Sequence, residues 1–279
     1  MSNIVQVPFS EARTYVEVPP PVPHRGGTLQ VANIIPGGSH GLMGAEYITD
    51  ACADGGRWDE ICYNVDQQLC DPVSTPAPPA AGYKLFEQPD LVQGSPIAVH
   101  AGTDCGLETQ AENEARARRM LEFTEGVQLD FRMVQVMTAE QDSNIGAMDI
   151  VSLIGTFDDM AFRIYGGYGI IWLTKATAVY AHAERAVVDS PDGGMMTVNG
   201  TRIAALVTEG VVGGDSEAFV TGQVSLIQGD VMTMTVPPVT RPDGTCDPQR
   251  ALAERMYVPL IECFIVGGTA TRTPTPPAT

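Results

Sequence analysis

The chain has 279 residues, 44% of them hydrophobic, and a formal net charge of -18 from 34 acidic and 16 basic side chains. That length and apolar content exclude a disordered chain and suffice for one large domain or two modest ones. The acid excess excludes strong independent binding to a nucleic-acid backbone, which needs clustered Lys and Arg; Lys84 and Lys175 are the only lysines.

The start, "MSNIVQVPFSEAR", carries no basic-then-apolar targeting pattern. Nowhere do about eighteen consecutive apolar residues occur, the length that a membrane span needs, so the chain reads as soluble and intracellular. Three segments are rich in proline: "VEVPPPVPHRGG", "DPVSTPAPPAAG" at Asp71 to Gly82, and the tail "TATRTPTPPAT". Proline fixes φ and removes a backbone donor, so these segments read as extended arms or loop tips, without a core of their own. Between the first two, "GLMGAEYITDACADGGRWDEICYNVDQQLC" has no sustained period and reads as irregular structure with short strands. In "SPIAVHAGTDCG", Ile97, Val99 and Ala101 alternate with Ala98, His100 and Gly102, the period of a strand.

Glu108 to Met137 reads as a long helix of about 45 Å at 1.5 Å per residue. Met120, Phe123, Val127, Phe131 and Val134 draw one apolar stripe along it, and Glu112 with Arg116 and Glu114 with Arg118 stand at the i,i+4 spacing that favours ion pairs. A second helix follows, with Ile150, Leu153, Ile154, Phe157 and Ala161 at helical spacing and two glycines at its end. Ile170 to Leu173 then form a short buried strand, and Thr174 is placed to cap a helix through Ala178, Ala181, His182 and Arg185. Asn199 and Gly200 mark a hairpin-like turn; Val224, Leu226 and Val231 belong to a glycine-bounded strand; and "QRALAERMYVPLIECFIVGG" reads as a last strand buried in a sheet.

The chemistry-bearing residue types do not assemble into a site. "YGGYGIIWL" matches neither phosphate-loop spacing, and its glycines precede a strand instead of joining a strand to a helix. Asp158 and Asp159 are adjacent, so on a helix they point about 100° apart, and a solvated helix face accounts for them. His100 and Cys105 lack a second pair at ligand spacing, and His100 reads as a structural histidine; His182 and Glu184 fall on an exposed helix face. Cys52, Cys62, Cys70, Cys105, Cys246 and Cys263 contain no C-x-x-C pair and are expected to be free thiols. No catalytic, cofactor-binding or metal-binding residue is assigned, so no enzyme activity and no cofactor is expected.

The order of elements carries more than any motif. The long helix, the helix "DIVSLIGTFDDMAF", the strand and helix "GIIWLTKATAVYAHAER", the turn in "MMTVNGTRIAALVTEGV", a strand pair around "TGQVSLIQGDV" and the closing "ALAERMYVPLIECFIVG" together resemble, from about Tyr83 to Gly268, the major capsid proteins of tailed phages, the Hong Kong 97 fold, especially the short forms from phages of actinobacteria. The resemblance implies an α+β capsid fold: an N-terminal arm and lead-in over 1–57, an extended loop over 58–84 reaching across the adjacent subunit, a peripheral domain with its spine helix over 85–147, an axial domain over 148–239, and a peripheral return strand and tail over 240–279. It implies a structural protein that self-assembles, through hexamers and pentamers, into an icosahedral shell. That shell encloses double-stranded DNA without tight binding and forms in the host cytoplasm, with possible scaffolding, decoration and portal proteins as partners and no membrane. No helical, charged extension precedes the arm, which implies a separate scaffolding protein or none, and neither Lys84 nor Lys175 sits in a motif for shell crosslinking. Encapsulin nanocompartments share the fold and stand as the alternative, with an enzyme bearing an unrecognised site as the competing class.

Overall fold

Residues 27–37, 44–48, 91–104, 109–208, 216–236 and 250–271 are described by a computed structural model of the chain. In chain order they form a helical turn α1 (Thr28–Val31), strands β1 (Asn33–Pro36), β2 (Ala45–Ile48), β3 (Leu91–Gly94) and β4 (Ile97–Asp104), and the long helix α2 (Gln110–Glu140). Then follow β5 (Ser143–Asp149), α3 (Ile150–Met160) with a wider π turn over Ala161–Tyr165, β6 (Ile170–Thr174), α4 (Lys175–Ala183), β7 (Val187–Asp189), β8 (Met195–Thr197) and β9 (Arg202–Leu206). The chain closes through β10 (Ser216–Thr221), β11 (Val224–Gln228), β12 (Met232–Val236), β13 (Arg250–Ile261) and β14 (Ile265–Thr271). The α+β class expected from the sequence is the class found.

The first sheet is built around β13. β4 pairs antiparallel along one edge of it, β11 and then β12 pair antiparallel along the other, and β1 lies parallel to β11. The alternation read from the sequence holds in β4, where Ile97, Val99 and Ala101 are buried and Ala98, His100 and Gly102 are exposed. Helix α2 packs on β4 and β13. Thr109 caps it reciprocally: its hydroxyl accepts from the Glu112 N–H, while the Glu112 carboxylate accepts from the Thr109 N–H at 2.8 Å.

The second sheet runs β5-β14-β10-β6-β9-β8-β7. Its central strand β6 is buried at every position because both faces are covered. Ile170 and Trp172 face the core shared with α2, whereas Ile171 and Leu173 face a second core with Ile150, Leu153, Ile154 and Phe157 of α3 and Ala178 and Ala181 of α4. Thr174 caps α4 as expected, its hydroxyl accepting from the Thr177 N–H at 3.2 Å. The Asn199–Gly200 turn joins β8 to β9, with Gly200 at φ 100°, a left-handed conformation that favours glycine.

Three readings need correction. The stripe Met120, Phe123, Val127, Phe131 and Val134 is not the buried seam of α2: Asn113, Ala117, Leu121, Leu129, Asp130, Met133 and Met137 are buried, while Met120 and Phe123 stay 40% and 45% exposed. The seam changes sides along the helix. At 100° per residue, Ala117 and Leu121 share one face and Met133 and Met137 lie almost opposite, because the first half packs on the first sheet and the second half is also flanked by α1, β9 and β14. Next, the strands around "TGQVSLIQGDV" do not pair with each other; β10 belongs to the second sheet and β11 to the first. The closing segment is likewise two strands, interrupted at Cys263 with φ 72°. Between the two helices, Ser143–Asp149 form the edge strand β5, parallel to β14.

The span 148–239 therefore does not map onto one sheet, since β11 and β12 join the first. Because β10 pairs with β14 and β11 with β13, two long antiparallel runs cross from one sheet to the other side by side. At the crossing, the Glu262 N–H donates to the Gln223 carbonyl at 3.0 Å, and a Cβ on Gly222 would stand 2.4 Å from the Glu262 carbonyl oxygen.

Candidate functional site

The structure disposes the weighed residues around packing, not around a reacting centre. In "YGGYG", Gly166 ends the π turn at φ 72°, and a Cβ on Gly169 would stand 2.3 Å from the Thr221 carbonyl oxygen; close approach of β10 explains that glycine. His100 turns its side chain to the exposed side of β4, and it is its backbone that is held, the Gln128 amide donating to its carbonyl at 2.7 Å and accepting from its N–H at 3.1 Å. His182 is exposed, as expected, with Nε2 3.7 Å from the Asp189 carboxylate. Cys52, Cys62, Cys70, Cys105 and Cys246 lie outside the described residues. Cys263 is disulfide-bonded, which corrects the expectation of free thiols for that residue. Among the described residues, no three His, Cys, Asp or Glu side chains group so as to hold a metal, and no helix is long and apolar enough to cross a membrane.

Asp158 and Asp159 part company. Asp159 lies on the exposed face and pairs with Arg163 one turn on, as a solvated helix face requires. Asp158 is only 4% exposed, which corrects its reading as solvated. Its carboxylate accepts from the hydroxyls of Thr197 (3.2 Å) and Thr201 and from the Asn199 side-chain amide. "TVNGT" thus supplies donors to one buried carboxylate, locking the β8–β9 turn onto α3. A buried polar cluster of this kind is tolerable only because its groups are paired.

Two further acids, one buried and one partly buried, hold α2 in place. Asp130, 1% exposed, accepts at one oxygen from the Thr28 N–H and hydroxyl, both at 2.8 Å, and at the other from the Val207 N–H at 3.1 Å. It ties the lead-in and the end of β9 to the middle of the helix. Glu125 meets Arg255 of β13 at 2.8 Å and accepts from the Tyr257 hydroxyl at 3.2 Å, and Gln228 of β11 donates to that hydroxyl at 2.9 Å. Burial pushes the Glu125 carboxyl above its ordinary range, and the attraction of Arg255 offsets this only in part. At the Arg255 end burial also opposes charge, yet hydrogen bonding with Tyr257 and the field of Glu125 leave the guanidinium above its usual value. At the sheet crossing, Tyr165 donates to Glu262 at 2.6 Å; burial and that carboxylate push the phenol up to about 12. The sequence reading missed Asp130 and Glu125 and took Asp158 for a solvated acid, since nothing local distinguishes them from surface acids.

The exposed features are segments and an apolar flank. β2 pairs antiparallel with β3, Ile48 opposite Leu91, so residues 49–90 leave and return through one two-stranded stem. The Tyr47 hydroxyl fastens that stem to the end of β13, donating to the Ile261 carbonyl at 2.7 Å and accepting from the Ile261 N–H at 2.9 Å. The extended loop expected at 58–84 lies outside the described residues. On α2, Met120 and Phe123 are exposed, and further along the helix a cavity of about 460 Å³ opens between α2 and the second sheet, lined by Phe131, Val134, Trp172, Leu206 and Phe219.

No protein-family model matches the chain, and no curated protein matches it. Among solved structures it is similar to the head structure of Helicobacter pylori bacteriophage KHP40, at 8% identity and TM-score 0.49, over 98% of this chain and 97% of that one. It is similar also to a chain of Mycobacterium phage Cain, at 10% identity and TM-score 0.48, over 95% and 96% respectively. A chain of the holo-SrpI encapsulin complex from Synechococcus elongatus PCC 7942 is similar at 8% identity and TM-score 0.42, over 86% of this chain and 85% of that one.

Proposed function

We propose that the chain is the structural subunit of an icosahedral phage head, a Hong Kong 97-like major capsid protein. The observation that carries this reading is the layout itself. A long helix lies on a sheet closed by the late strand β13, and a second sheet flanked by α3 and α4 is welded to it by two strand runs, in the element order that the sequence resemblance specifies. In this reading α2, β1, β4 and β11 to β13 form the peripheral part, and β5 to β10 with β14, α3 and α4 form the axial part. The stem β2–β3 carries residues 49–90 outward as the loop that crosses a neighbour. The proline-rich residues before Gly27 are the arm. Scaffolding, decoration and portal proteins are its partners during head assembly in the host cytoplasm, and the enclosed cargo is double-stranded DNA.

Repeated weak contacts suffice for such a shell, because closure multiplies them. The test is light scattering and negative-stain microscopy of the expressed chain. Closed particles tens of nanometres across support the reading, and a protein that stays monomeric at every concentration and salt tried overturns it. Co-expression with scaffold candidates guards against a missing assembly partner. Particles that copurify with folded protein cargo and never package DNA would point to the encapsulin alternative. Removing Met1 to Pro23 should leave a folded subunit that assembles poorly, and unchanged shell yield would remove the arm from this scheme.

A further inference from the structure

Of the six asparagines in the chain, Asn199 alone precedes a glycine. The pair sets a side-chain amide next to a backbone nitrogen whose own residue carries no Cβ, the arrangement in which the two groups meet with least hindrance.

The β8–β9 turn keeps them apart. The Gly200 N–H donates to the Thr197 carbonyl at 3.1 Å, closing a turn in which Asn199 is the third residue, and Gly200 at φ 100° completes a bulged hairpin. The Thr197 N–H donates to the Thr201 carbonyl at 2.8 Å, and the Tyr168 ring lies so close that a Cβ on Gly200 would stand 3.1 Å from it. The Asn199 amide is engaged elsewhere, its Nδ2 donating to one oxygen of Asp158, whose other oxygen accepts from the hydroxyls of Thr197 and Thr201.

When the turn opens, these restraints end together, and one reaction then needs only water. The Gly200 nitrogen gives up its proton to solvent and bonds to Asn199 Cγ. The Cγ–Nδ2 bond breaks, and Nδ2 leaves as ammonia. Water opens the resulting imide ring to aspartate or isoaspartate. The sum is amide plus water giving carboxylic acid plus ammonia, with nothing oxidised or reduced. The product no longer fits the turn: an amide nitrogen donates to Asp158, whereas an ionised carboxyl only accepts. Two carboxylates then meet where an amide met a carboxylate, and each opposes the ionisation of the other.

We infer that Asn199–Gly200 is a self-modifying site gated by the β8–β9 turn: it deamidates from the open turn, and the acid formed keeps the turn from closing again on Asp158. The turn is a one-way latch. It is a property of the single subunit, independent of whether shells form.

Two experiments on the full chain test this. In the first, the protein is held in mildly alkaline buffer, native or unfolded in urea, and peptide mass spectrometry follows aspartate and isoaspartate at position 199, with Asn144, which precedes Ile145, as the internal control. Conversion in the folded chain is limited by the fraction of open turn. The expected result is a rate at Asn199 at least about tenfold slower in the folded than in the unfolded chain, because opening strands several buried donors. Equal rates in the two states, or conversion in urea no faster than at Asn144, overturn the inference. In the second, Asn199→Asp is compared alone and combined with Asp158→Asn. The combination keeps one amide and one carboxylate facing each other, the new amide oxygen accepting from the Thr197 and Thr201 hydroxyls and its nitrogen donating to the new carboxylate. The single substitution should lower the urea midpoint and the combination should recover most of the loss. A single variant as stable as the parent, or a combination no more stable than the single variant, overturns the inference. If Asn199→Asp alone does not fold, recovery of folded protein by the combination gives the same answer.

Discussion

Asp158 shows how a single buried carboxylate organises a turn that the sequence presents as loop. Thr197, Asn199 and Thr201 aim their donors at it, and Thr197 and Thr201 are themselves buried. Asp158→Ala strands these donors away from water, and each buried donor left without a partner costs about 1–3 kcal/mol. The expected outcome is a loss of unfolding free energy of that order in urea titrations, with the folded spectrum retained; an unfolding free energy unchanged within error would show that water replaces the carboxylate. Glu125 makes a different prediction because its carboxyl is raised by burial. Below the ordinary glutamate value of about 4.3 both folded and unfolded chains hold the proton. As pH rises past it, the unfolded chain releases its proton first, so the folded state loses stability until its own raised value is passed. Glu125→Gln removes that loss. The difference in unfolding free energy between the parent and this variant should therefore shift against the parent as pH rises above about 4, until the folded carboxyl has ionised, and parallel pH profiles would refute the burial of the charge.

At the scale of elements, periodicity located helices and strands well and their environments less well. Helix α3 and strand β6 were legible down to the buried side chains, because each packs on invariant surroundings along its length: Ile150, Leu153, Ile154 and Phe157 form one stripe, and Ile171 and Leu173 are fully buried. The long helix was legible in existence and extent but not in its buried face. Two neighbours cover different sides of its two halves, and a single 3.6-residue stripe cannot describe that. The segments that form β10, β11, β13 and β14 were legible as strand, β13 and β14 as a single one, yet their partners were not, since nothing local in "VTGQV" or "LIECFIV" says that the chain changes sheet there. The roles of the acids Asp130, Glu125 and Asp158 were invisible for the same reason: their donors come from 102, 130 and 39 residues away in sequence, respectively. Substitutions on α2 separate the two faces directly. Leu121→Ala empties a fully buried position and should cost about 2–5 kcal/mol, whereas Phe123→Ala, on the half-exposed flank, should cost less than half as much despite its larger side chain. Equal losses in chemical unfolding would restore the flank as the seam.

For the whole molecule, the paired crossings of β10–β11 and β13–β14 join the two sheets through backbone hydrogen bonds, so the body should move as one unit when it is packed against others. What that body presents to its surroundings is set by charge. With -18 distributed over 279 residues, the mean surface is acidic, and a phosphate backbone approaching it meets repulsion in place of counterion release. Arg116, Arg118 and Arg119 on α2 are exposed and are the densest basic run in the helix. Their electrostatic reach is shortened by Glu114, which lies within the field of Arg118 and is held ionised by hydrogen bonds from Gln110 and Thr235, while Arg118 itself donates to Thr233 at 3.0 Å. A container proposed to fill with DNA under a motor gains from this arrangement, because a basic lining would hold the incoming duplex by the counterions it releases and slow its passage. Unassembled subunits titrated with duplex DNA in anisotropy or gel-shift measurements at about physiological salt should accordingly show affinities no tighter than the roughly 10⁻⁴ to 10⁻⁶ M of nonspecific binders. Substituting Glu114 and Glu122 with Gln should strengthen the interaction and steepen its salt dependence, since it uncovers the arginines. Nanomolar binding by the parent chain, weakening sharply with salt, would instead mark the arginine run as a dedicated phosphate-binding surface and remove the acidic-container account of this protein.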